Sequence, residues 1–337
     1  MPKNHKEDIV GVDIGAYSVK VLSVSREQND RTVTAYNIKN LPLDGKDHKM
    51  ENVIGEAFDE IDIKPKTVNI SMSGPDVIVR FINLPKMTKE QLENALAFEA
   101  EKYIPFNVNE VVLDFVIMGK APEPGQMKVL LAAGKKEAVD PLIRIFDRMG
   151  INVGLIDINA LAVFNAYLST GGLSEDEGTV FLDLGHSQTD ILISTGDQPC
   201  FTRQVQIGGG DMTLAISRDL SVPLAKAEEI KMGLDQSNKE GAQRIMLQIL
   251  DDLVKEIQLS FGYFENRYNK GISRVFCSGG LVYREGLLEY LGSRLGVPVE
   301  TWDPVKGLKL AETLSKQDMG MIASRLAVCV GLALRNV

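Results

Sequence analysis

Two stretches of this chain, half its length apart, carry the same pattern. Residues 9–24 and residues 180–194 each run as an apolar strand, an acid, a glycine two positions on, small polar residues, and a returning strand. The first copy is Asp13-Ile14-Gly15-Ala16-Tyr17-Ser18-Val19-Lys20, and the second is Asp183-Leu184-Gly185-His186-Ser187-Gln188-Thr189-Asp190. Such a turn offers backbone N–H groups to an anion, with glycine expected for close approach and a positive φ. Two of them face to face clasp a polyphosphate, and the acids hold Mg²⁺ through water. A single copy reads as a plain hairpin turn. The repeat makes the chain two like halves closing on one ligand.

The remaining pattern is mixed α/β. A third strand is predicted over 32–38, a polar loop over 41–50, a helix over 51–61 and a strand over 67–73 that stops at Gly74-Pro75. Residues 77–149 read as an inserted unit. A strand ends at Pro85, and Thr88 with Gln91 signs a capping box for a helix running to about Tyr103. A strand over 111–118, a Pro/Gly loop over 121–125, a strand over 127–134 and a helix over 137–149 follow. Beyond a strand and helix at 151–170, residues 178–207 repeat the opening and helices dominate 211–268. A buried strand over 274–277, a helix, a short strand at 297–300 and a helix over 323–335 complete the chain. The expected domains are a first half (1–76, 150–171 and 320–337), an insert (77–149) and a second half (172–319, helical over about 211–271).

Composition removes several classes of function. The formal net charge is -9 and no run of Lys or Arg occurs, so a nucleic-acid binder is not expected. Cys200, Cys277 and Cys329 form no CxxC pair, which argues against disulfide frameworks and zinc sites and for reduced, intracellular thiols. The opening residues are polar, without a leader pattern. The apolar run 326–334 falls short of the ~20 residues of a spanning helix, so a cytoplasmic protein with no membrane insertion of its own is expected. GxxxxGK[ST], GxGxxG and HExxH are all missing. Phe276-Cys277-Ser278-Gly279 lacks the leading glycine of a nucleophile elbow. His5, His48 and His186 are scattered, and His186 reads as a polar turn residue.

On these residues the chain resembles the actin-like ATPases. Residues 11–20 look like their first phosphate motif and 183–190 like the second, while Ser278-Gly279-Gly280 looks like the adenosine motif. Glu228 and Lys231 match the E-x-x-K helix that flanks ribose and adenine in that superfamily. The resemblance implies an actin-like (ribonuclease H-like) two-domain fold with an inserted βαββα subdomain, binding ATP and Mg²⁺. It puts Lys20 on the phosphates and Asp13 and Asp183 near Mg²⁺. Gly15, Ser18, Gly185, Ser187 and Thr189 would line the phosphate turns, with Gly279 and Gly280 against the adenosine. Active members carry a Glu or Gln where this chain has Ile158, beside Asp157 and Asn159. Slow hydrolysis is therefore expected, with Asp157 the first candidate base.

Within the superfamily, the insert most resembles that of the type IV pilus assembly protein PilM. Arg80-Phe81-Ile82-Asn83-Leu84-Pro85, the stretch from Glu99 to Phe106, and Leu113-Asp114 carry this likeness, as does Ile207-Gly208-Gly209 before a helix. That family takes the N-terminal cytoplasmic tail of the inner-membrane protein PilN beside the insert, among other pilus assembly components, and so sits peripherally at the inner membrane. Phe81, Leu84, Leu92, Leu96 and Phe98 are the candidate groove. A division protein of the FtsA type, an actin-fold small-molecule kinase and a cytoplasmic domain of type II secretion are the alternatives.

Overall fold

A computed structural model describes residues 7–27, 30–42, 49–119 and 123–335. Most of the loop expected at 41–50, the start of that at 121–125, and His5 and His48 lie outside the described residues. The alternation of apolar side chains in the first 40 residues yields an antiparallel meander: β1 (Glu7–Ile14), β2 (Ser18–Glu27) and β3 (Asp30–Asn40). Helix α1 (Met50–Asp59) buries Val53, Ile54, Ala57 and Phe58, one face of its 3.6-residue period. Strand β4 (Thr67–Met72) then lies parallel to β1.

The insert has the predicted order: β5 (Val77–Pro85), α2 (Lys89–Ala100), β6 (Val111–Met118), β7 (Gln126–Lys135) and α3 (Lys136–Arg148). Thr88 and Gln91 close the capping box reciprocally. The three strands form their own sheet, in the order β5-β7-β6. Strand β8 (Asn152–Ile158) returns to β4, and helix α4 (Asn159–Leu168) follows it.

The second meander is β9 (Gly178–Leu184), β10 (Thr189–Thr195) and β11 (Gln198–Val205). Helices α5 (Gly209–Leu220), α6 (Leu224–Met232) and α7 (Lys239–Tyr268) pack against it, and β12 (Ile272–Gly279) runs parallel to β9. Next come α8 (Leu287–Leu295), β13 (Val299–Thr301), β14 (Lys309–Leu310), α9 (Lys316–Ile322) and α10 (Ala327–Leu334). The sheets run β14-β3-β2-β1-β4-β8 and β11-β10-β9-β12-β13. β14 pairs with β3, so residues 309–310 lie on the first sheet although they were counted with the second half. Two residues are too few to show a period.

Lys316–Leu334 is long and apolar enough, by length and composition, to cross a bilayer, a longer stretch than the one counted in the sequence. Its apolarity is spent inside the protein. Leu326 and Ala327 to Ala333 are buried, packed between the first sheet and α4. Phe164 of α4 meets Phe181 of the second sheet and Tyr167 meets Phe276 in the same cluster, so α4 and α10 tie the two sheets together.

Candidate functional site

The two hairpins agree residue for residue. Asp13 faces Lys20 and Ile14 faces Val19 across β1–β2; Asp183 faces Asp190 and Leu184 faces Thr189 across β9–β10. The Gly15 N–H donates to the Ser18 carbonyl at 3.1 Å, and the Gly185 N–H to the Gln188 carbonyl at 3.0 Å. Neither glycine has the positive φ the sequence suggested. The requirement is space: a Cβ on Gly185 would stand 2.7 Å from the Gln188 carbonyl oxygen. Gly279, by contrast, does need its freedom, with φ +96° and a would-be Cβ 2.4 Å from the Leu184 carbonyl oxygen.

The tips of the hairpins meet. Tyr17 stacks on His186 with ring centroids 5.0 Å apart and 23° between planes. Beneath them lie three carboxylates and one ammonium. Lys20 Nζ is 2.6 Å from Asp13 Oδ2, with both side chains largely buried. Burial opposes the lysine charge, but the Asp13 carboxylate outweighs it and holds the pKa above its ordinary value. Ser278, at the end of β12, donates its hydroxyl to Asp183 at 2.7 Å. Burial raises Asp183 despite Ser278 and Lys20, and Asp13 adds to the rise.

Asp190, in the place that Lys20 has in the first hairpin, is 4% exposed and accepts a hydrogen bond from the Gln188 amide at 3.2 Å. Burial first, then Asp183, pushes its pKa up to about 7. Among the described residues no group of three or more His, Cys, Asp or Glu is arranged to hold a metal directly. The acidic excess fits a hydrated divalent cation that a phosphate chain brings with it.

This has a pH signature. The unfolded chain releases the Asp190 proton near pH ~4; the folded protein keeps it to about pH 7. Between these values the folded state binds more protons, so stability falls as pH rises and the full cost stands above pH 7. In Mg²⁺-free buffer Asp190→Asn is expected to melt several degrees above the parent at pH 8 and to match it at pH 4. Equal melting at pH 8 would refute the burial argument.

Around the cleft, Gly208 to Gly210 at the start of α5 dock on the second turn. The Gly209 N–H donates to the Gly185 carbonyl at 2.9 Å and the Gly210 N–H to the His186 carbonyl at 2.7 Å. Glu228 and Lys231 are not an exposed helix pair. Lys231, 2% exposed, donates to Glu228 Oε2 at 2.7 Å, to the Thr213 hydroxyl at 3.0 Å and to the Gly209 carbonyl at 3.1 Å. Burial pulls its pKa down although Glu228 opposes this. The lysine therefore ties α6 to α5. Glu228 is near enough to Tyr17 to help raise its pKa, after burial.

The other candidates are placed as follows. Ser18 is buried and Ser187 is exposed at its tip. The Thr189 side chain is buried and its hydroxyl donates to the Ile207 carbonyl at 2.8 Å. Gly280 opens the turn after β12 with free space around it. Asp157 is committed elsewhere: it accepts from the Ile158 N–H at 2.8 Å and pairs with Arg335 at 3.3 Å. Ile158 packs beneath Val79, Met118 and Leu130 of the insert.

The expected groove does not form as one surface. Leu84 and Leu92 are core of the insert, and Leu96 packs against that core. Leu92, Leu96 and Ala100 follow a four-residue spacing; Phe98 lies on the opposite side of α2 and is 66% exposed. Phe81 stands apart, beside Val79 and Leu130. Tyr17, Gln188, Asp190 and Thr213 were not singled out by the sequence.

Two meanders bearing matched turns, joined by α4 and α10, define an actin-like protein. The chain belongs to the family of the type IV pilus assembly protein PilM, whose family model matches residues 11–337. A solved structure, the PilM-PilN type IV pilus biogenesis complex, is 26% identical and superposes with a TM-score of 0.86 over 98% of each chain. MreB 5 of Spiroplasma citri bound to AMPPNP shares the fold alone, at 12% identity and TM-score 0.52 over 98% of this chain and 95% of that one. Cell division protein FtsA of Streptococcus pneumoniae serotype 2 is 23% identical over 278 residues, 74% of this chain and 60% of FtsA. The chain thus spans about 60% of the length of that curated relative.

Proposed function

We propose that this protein is an ATP-binding platform of type IV pilus biogenesis that receives the N-terminal tail of a PilN-type inner-membrane protein. The observation that carries the reading is the 98% mutual coverage with the chain of the PilM-PilN complex, insert included. In this reading the protein works on the cytoplasmic side and reaches the inner membrane through its partner. ATP lies between the hairpins, with Lys20 toward its phosphates and Asp13 and Asp183 toward a hydrated Mg²⁺. The ion offsets the phosphate charge next to the acids. Gly279 and Gly280 border the adenosine. No carboxylate or amide stands at Ile158, which supports binding with slow turnover.

The insert supplies surface that the nucleotide does not need, so the tail is assigned to it. A disordered tail that orders on binding is expected to bind at about micromolar Kd. A calorimetric titration with a PilN N-terminal peptide tests this. Replacing residues 77–149 by a short linker is expected to abolish the peptide heat while ATP binding remains. Peptide heat that survives the replacement would move the partner site off the insert.

A further inference from the structure

Two sheets end in outer strands that border one cleft, where the Val79 carbonyl accepts from Arg80 and the Cys200 carbonyl from the Tyr268 hydroxyl. β5 is the outer strand of the insert sheet and β11 the outer strand of the second large sheet. They approach without pairing and border a cleft of about 430 Å³. Its walls include consecutive residues of each strand, 79–83 and 200–202, as a strand edge would. Backbone N–H and C=O groups along an open edge are a template for one more strand.

The side chains around this cleft share a chemistry. Phe81, Phe201 and Tyr263 form aromatic walls, the last two with centroids 5.0 Å apart. Arg80 donates to the Val79 and Tyr103 carbonyls, at 3.0 and 3.3 Å. Arg267 lies by the Tyr263 hydroxyl at 3.4 Å. Lys128 Nζ stands 5.8 Å from the Phe81 ring centre and 5.7 Å from that of Tyr268. Among the described residues none of these three cations has a carboxylate partner, and no Asp or Glu lines the cleft. In a chain of net charge -9 this is a local reversal of sign.

From these juxtaposed edges and unpaired cations, we infer that the cleft between β5 and β11 docks an extended acidic segment of a partner protein. The segment adds its backbone to a free strand edge, sets an apolar side chain between the aromatic walls, and brings its carboxylates to Arg80, Lys128 and Arg267. This does not rest on the tail reading above, because acidic chemistry is demanded here by the cleft itself.

The probe is a random twelve-residue peptide library displayed on phage. It is selected on the full-length protein and counter-selected on the Arg80→Glu/Arg267→Glu variant. Selected peptides are expected to be rich in Asp and Glu around one apolar residue. Their affinity should fall at least tenfold in the double variant, and should weaken with added salt. Amide exchange should slow along β5 and β11 on binding. The double variant must keep the parent melting curve with ATP. Peptides with no acidic bias, or equal affinity for both proteins, would overturn the inference. So would self-association of the free protein that the same two substitutions abolish, since a second copy would then be the occupant.

Discussion

Lys20→Met is expected to abolish the rise in melting temperature that ATP with Mg²⁺ gives the parent protein. At ligand near 100 Kd that rise reflects about 2.7 kcal/mol. The variant also leaves Asp13, whose side chain is 6% exposed, without its cation. Breaking a buried pair from one side costs roughly 3–5 kcal/mol, so the nucleotide-free variant should melt lower as well. Asp13→Asn/Lys20→Met separates the two effects. The double variant should recover much of the ligand-free stability, because no uncompensated charge remains, yet still ignore ATP. Thermal melts with and without nucleotide decide it. A full ATP shift in Lys20→Met would take this lysine out of the phosphate site.

The second large effect is expected far from the cleft's rim. Gly331 of α10 lies so close to α4 that a Cβ there would stand 1.9 Å from the Ala162 carbonyl oxygen. Nothing on α4 can give way, because the obstacle is helix backbone. Gly331→Ala should therefore cost at least ~3 kcal/mol, the upper range for overpacking. The urea midpoint should fall while the slope is kept. Gly262→Ala, inside α7 near its C-terminal end and with no neighbour within 4 Å, should instead stabilise by about 0.5–1 kcal/mol. Similar behaviour of the two variants would show that helix propensity, not the crossing, governs both.

Much of the fold was legible because it rests on local rules. The echo of Asp13-Ile14-Gly15 in Asp183-Leu184-Gly185 led to two hairpins whose pairing is the same to the residue. Thr88 and Gln91 marked the start of α2 by the chemistry of its cap. What failed was anything decided by partners distant in sequence. E-x-x-K paired Glu228 with Lys231, but nothing in it announced the Thr213 and Gly209 acceptors, which come from another helix. Tyr17 and His186 are 169 positions apart, and nothing local announces that their rings stack. The groove was misread because Leu92, Leu96 and Phe98 were not sorted by helix face, nor Phe81 and Leu84 by the alternating faces of a strand.

Helix α10 has a consequence for how the protein is made. It lies against the earliest strands: the Cys329 thiol donates to the Lys20 carbonyl, 309 residues away, and the Asn69 amide donates to the Leu332 carbonyl. The first meander is thus synthesised long before the helix that packs against it. At ~5–20 residues per second that interval is roughly 15–60 s. For that time an apolar face stays open on the nascent chain while the second meander is being translated. The ribosome therefore hands over a half-finished core to whatever guards emerging polypeptides. A chain that stopped before Ala327 would be missing the piece that closes it.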